Sequence, residues 1–96
     1  MTRADGIITF THDLRCLIRI GAKGSWYNKA SVTAKVRVRK TSNGSTSTIL
    51  ELTGVGNGGN STTGTFDFLK GDQIFAQAGA SSNSTNTVAY MVVMLA

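Results

Sequence analysis

Cysteine occurs once in the 96 residues, as Cys16. A single thiol excludes an internal disulfide and a cysteine-based metal cluster. Histidine also occurs once, as His12. One histidine and one thiol fall short of the three or four ligands that zinc requires. The five acids, Asp5, Asp13, Glu51, Asp67 and Asp72, are sparse and separated. They supply neither a calcium loop nor a paired-carboxylate glycosidase site. No G-x-S-x-G elbow is present, so His12 beside Asp13 has no nucleophile to activate and reads as a polar turn. No cofactor, metal or catalytic residue is expected, and the chain reads as a non-enzyme.

Long apolar runs are missing too. Ile7-Ile8 is interrupted by Thr9, so no signal-peptide core forms near the start. Residues Val88 to Ala96 are too few to cross a bilayer as a helix. No membrane insertion is expected. The N-x-S/T patterns at Asn43, Asn60 and Asn83 matter only in a secretory pathway, and follow from loops rich in Ser, Thr and Asn. Proline is absent and leucine is scarce, while β-branched residues, Gly, Ser, Thr and Asn are abundant. This composition favours an all-β chain with polar loops.

Period-two alternation then locates seven or eight strands. They are placed at residues 6–10, 14–20, 32–40, 46–53, 65–69, 73–78 and 88–96. In 14–20, Leu14, Cys16, Ile18 and Ile20 share the inner face, which makes Cys16 a core residue. In 32–40, Val32, Ala34, Val36 and Val38 face inward. Lys35, Arg37 and Arg39 face outward. Asn43-Gly44 is a hairpin signal that joins this strand to the next, antiparallel. Stretches 21–31, 54–64 and 79–87 read as polar loops. "GVGNGG" matches a dinucleotide fingerprint in letters only, because no helix follows it. The turn Lys70-Gly71-Asp72 is expected to hold its charges in solvent, with Gly71 supplying backbone freedom. No helix is readable, and residues 1–96 form a single domain.

Two surfaces qualify as sites. The final strand is apolar on both faces. Val88, Tyr90, Val92 and Met94 alternate with Ala89, Met91, Val93 and Leu95. A domain this small buries only about 60–65% of its unfolded surface. A neighbouring subunit is therefore expected to cover the second face, and Tyr90, Met91, Val92, Val93, Met94 and Leu95 form the expected interface. The second surface combines Lys35, Arg37 and Arg39 with the loop aromatics Trp26 and Tyr27. Lys40 continues that strand, and Arg15 and Arg19 are candidates to extend the charge. A net charge of +5 suits an acidic partner. Yet no aromatic is interleaved with these cations for stacking on nucleic acid, so a solvated face is the simpler reading. Trp26 is equally suited to sugar contact and to capping the core.

The stretch "FDFLKGDQIFAQAG", a polar loop and the terminal "VAYMVVMLA" resemble the C1q/TNF-like jelly-roll family over the last third of the chain. The matching positions are Phe66 to Leu69, Lys70-Gly71-Asp72, Gln73 to Ala78 and Val88 to Ala96. The resemblance implies an all-β, compact antiparallel jelly-roll β-sandwich, ten-stranded in the family. It also implies a homotrimer with the terminal strand near the three-fold axis. This chain is shorter than typical members and has no counterpart of their calcium-binding acids or collagen-like stalk. Small jelly rolls of this composition look like bacteriophage surface proteins: tail fibre tips, receptor-binding heads, head fibres or capsid decoration proteins. The Met at position 1 fits a separately encoded virion component assembled in the host cytoplasm. Other virion proteins and host surface glycan are the expected partners. The alternative is a small basic β-barrel that binds nucleic acid through Lys35, Arg37 and Arg39.

Overall fold

Side-chain alternation organises the chain into eight strands in a computed structural model, which describes residues 1–23, 33–55, 59–80 and 88–96. They are β1 Thr2–Ala4, β2 Ile7–Thr9, β3 Leu14–Lys23, β4 Thr33–Ser42, β5 Ser45–Val55, β6 Asn60–Phe68, β7 Gln73–Ala80 and β8 Val88–Leu95. Every pairing is antiparallel. One sheet has the order β1-β2-β7-β4-β5 and the other β6-β3-β8. No helix occurs among the described residues. The all-β expectation is borne out, as two packed antiparallel sheets.

Strand β3 supplies the centre of the core. Cys16, Ile18, Ile20 and Ala22 point inward from it. They meet Ala34, Val36 and Val38 of β4 and Leu52 of β5, all buried. Burial pushes the Cys16 thiol up. The β4–β5 hairpin turns at Asn43-Gly44, both at positive φ, as that dipeptide predicts. A bulge lies in this pair: Val38 is opposite Leu50 but Arg39 is opposite Thr48. Ile49 is the unpaired residue, and it packs against the core instead of facing out with Glu51.

Several boundaries differ from the expectation. Strand β1 has no counterpart in the alternation pattern; it is a three-residue strand folded back by Asp5-Gly6, again both at positive φ. The glycine-rich stretch 54–64 is largely strand. Gly54 and Val55 end β5, and Asn60 to Gly64 open β6 against Ile18 to Ala22. Residues 21–23 and 79–80 likewise extend β3 and β7. Residues 24–32, 56–58 and 81–87 lie outside the described residues.

One register links the two sheets. Ile8 is opposite Ile74 in the large sheet, and Leu14 is opposite Phe68 in the small one. Between them the Phe10 N–H donates to the Asp72 carbonyl at 2.9 Å, and the Gly71 N–H donates to the Phe10 carbonyl at 2.8 Å. The β2–β7 and β3–β6 pairings keep the same offset on either side of residues 11–13, which lie outside both ladders. One antiparallel register therefore carries from one layer to the other at this corner.

The corner is built around Asp72, which is only 3% exposed. This corrects the expectation of a solvated charge. Its carboxylate accepts from the Leu69 N–H at 2.9 Å and from the Ser42 hydroxyl at 2.7 Å. Lys40 Nζ stands 3.6 Å away. Burial opposes ionisation, but the Leu69 N–H, the Ser42 hydroxyl and Lys40 outweigh it and hold the carboxyl below its usual range. A depressed carboxylate stabilises the fold above its unfolded pKa, and that contribution fades as pH falls through the folded value. Asp72→Ala is expected to cost about 1.5–3 kcal/mol at neutral pH. The difference from wild type should shrink below about pH 4, where the unfolded carboxyl protonates. Urea midpoints at pH 7 and pH 3 check this; an equal gap at both would remove the electrostatic account.

Candidate functional site

The last strand divides its residues between two environments. Met91 and Val93 point inward and pack on the core. Tyr90, Val92 and Met94 point outward and stay 42–44% exposed. Leu95 shares the inward parity but lies at the strand end, 69% exposed. So the six expected interface residues do not act as one surface. Three of them form an outer stripe and two belong to the core.

Register on β3 completes the stripe. Met94 is opposite Leu17, Val92 is opposite Arg19, and Tyr90 is opposite Gly21. The Tyr90 ring lies over Gly21 so closely that a Cβ there would collide with it. Glycine thus seats the aromatic flat on the sheet, as aromatic rescue does elsewhere. Leu17 joins the stripe, which the alternation of β3 implies but its own strand does not single out. Further along, Arg15 Nε donates to Asp67 Oδ1 at 2.9 Å. That hydrogen bond and the attraction of opposite charges raise the Arg15 pKa and lower that of Asp67. The pair is exposed, so it borders the stripe without adding much stability.

The basic surface lies on the opposite side of the molecule. Lys35, Arg37 and Arg39 point outward from β4, with the long β4 ladder to β5 and β7 on either side. Glu51 sits between two of them, with Lys35 Nζ at 3.7 Å and Arg37 Nε at 3.8 Å. Arg39 Nη1 donates to Thr48 Oγ1 at 2.6 Å, and one aromatic, Phe75, is paired across from Arg39. A shallow hollow of about 430 Å³ is lined by Lys35, Arg37, Gln77 and Gly79, among others. Two expected extensions fail. Lys40 follows the inward parity of Val36 and Val38, and its Nζ stands 5.5 Å from the Phe68 ring centroid. Arg15 and Arg19 belong to the outer face of the other sheet. Trp26 and Tyr27 lie outside the described residues.

No protein-family model matches the chain, and neither a curated protein nor a solved structure matches it. Among the described residues no three His, Cys, Asp or Glu side chains gather to hold a metal ion.

Proposed function

We propose that this chain is a non-enzymatic structural protein of the bacteriophage particle surface, a C1q/TNF-like jelly roll that assembles as a homotrimer. The observation that carries the reading is the exposed stripe of Tyr90, Val92 and Met94 beside Leu17. A contiguous apolar patch on a small soluble β-protein marks an interaction surface. The strand order supports the jelly-roll part. A jelly roll is a long antiparallel hairpin wrapped into two layers. Here β4 pairs β5, β3 pairs β6, and β2 pairs β7, and the last two share one register. The outermost step, β1 with β8, is not made. The virion assignment rests on analogy with small adhesive jelly rolls of this composition. In that setting the molecule serves in a tail fibre, head fibre or capsid decoration, joined to other virion proteins, with host glycan as ligand. Sedimentation velocity tests the assembly: a wild-type monomer at micromolar concentration would remove it.

A second reading is nucleic-acid binding through Lys35, Arg37 and Arg39, supported by three cations aligned on one face. Glu51 neutralises part of that charge. The virion reading expects no retention of single-stranded DNA at low salt. Should binding occur and those three cations carry it, log K against log salt should fall with a slope of about −2, the value for three single-strand phosphate contacts. Arg37→Glu should then abolish it.

A further inference from the structure

The two sheets are unequal, five strands against three, and β8 lies over β4 at the margin of the small one. Strands β7, β2 and β1 extend past β8: Ile74 is buried and Ile8 packs on the core, but farther along β7 the inner face is uncovered. Ala76 shares the inner parity of Val38, its pairing partner, yet is exposed. The result is a groove of about 570 Å³, lined by Met1, Arg3, Ile8, Ala76, Met91 and Val93 among others. Among the described residues β8 is an unpaired edge of its sheet, and its Met91 and Val93 bring it to the groove. The other three edges are guarded in the usual ways. Strand β1 is three residues long, β6 is mostly polar and carries Asp67, and β5 is rich in Ser and Thr and carries Glu51. Strand β8 has eight residues, no charge, no proline and an unbroken register. An edge of that kind is a template for another strand.

We propose that the groove receives one extended segment of another polypeptide, which joins β8 as a fourth strand of the small sheet. Alternate apolar side chains of the segment sit over the small side chain of Ala76, and a carboxylate on it reaches Arg3. Arg3 is paired across from Ile8 on β1 and has no acidic partner among the described residues. The chain as a whole is also basic, at +5. An acidic segment is thus the complementary one. The groove uses the edge and inner margin of β8, whereas the trimer reading uses its outer face, so the two stand independently.

The test uses an acetylated, amidated nine-residue peptide of alternating Val and Thr with one Glu, and a twin with Lys in that place. In strand addition the main chain supplies most of the affinity, so an approximate sequence suffices. The Glu peptide should bind saturably and slow hydrogen exchange at the β8 amides that point away from β3. The Lys twin should bind about tenfold more weakly, and Arg3→Glu should reverse that order. Ala76→Leu, at an exposed position, should fill the floor and weaken binding by a similar factor. Absence of saturable binding by either peptide, equal binding of the two in wild type, or indifference to Ala76→Leu would overturn the proposal. So would protection of those β8 amides in the free protein, because a second copy or another part of the chain would then occupy the edge. Sedimentation of the same samples reports the trimer separately.

Discussion

Phe68→Ala is expected to remove about 3–5 kcal/mol of stability, the range for truncating a buried aromatic. A small domain has about 5–15 kcal/mol in all, so the variant should sit close to unfolding. Phe68 is 1% exposed at the end of β6. Its ring stacks on Phe10 with centroids 4.3 Å apart and an 11° interplanar angle. Phe66 lies 6.2 Å away, tilted, and Lys40 Nζ stands 5.5 Å from the Phe68 ring centroid. These rings fill the corner where the chain passes from one sheet to the other. Phe75, half-buried on the outer face, provides the contrast: Phe75→Ala should cost under about 2 kcal/mol. Urea denaturation of both variants checks the difference, and equal losses would show that the corner holds no special share of the core.

The centre of this fold is legible in the alternation of the sequence. Cys16, Ile18 and Ile20 against Ala34, Val36 and Val38 is a pattern that only paired strands with one buried face produce. Asn43-Gly44 sets the hairpin between β4 and β5. Asp5-Gly6 carries the same signal with equal force, yet β1 is hidden from a periodicity reading because three residues are too few to show alternation. The glycine-rich stretch misleads in the opposite way. Its Ser, Thr and Gly composition suits a loop, but β6 is an edge strand whose outer side chains meet water, and Thr tolerates that position well. Asp72 is a different kind of failure. A buried carboxylate is tolerated only with partners, and Ser42 and Lys40 come from 30 or more residues away in the chain. No local pattern announces them. Lys40 itself is readable, since its parity follows Val38, but its charge groups it with the basic residues beside it.

For the proposed assembly, Val92→Asp and Met94→Asp are expected to convert a trimer into a folded monomer. Both faces of the terminal strand are apolar, so composition alone cannot choose between them as the place for an interface probe. The packing of β8 separates them. Val93→Asp places a carboxylate against the core and should unfold the domain whatever its oligomeric state. Val92 and Met94 are exposed in a single copy, so their Asp variants cost the monomer little. In an assembly closed over this stripe, each copy would bury one unpaired carboxylate, at several kcal/mol apiece. Three such penalties exceed the net free energy of most associations at micromolar concentration. Tyr90→Ala should act in the same direction with a smaller effect, because it also strips the cover from Gly21. Sedimentation and circular dichroism on the same samples give the decisive combination. Loss of the trimer with the β-sheet signal retained places the outer stripe at the interface. Retention of the trimer by both variants would move the interface elsewhere, and the exposed face of β8 would then need another occupant.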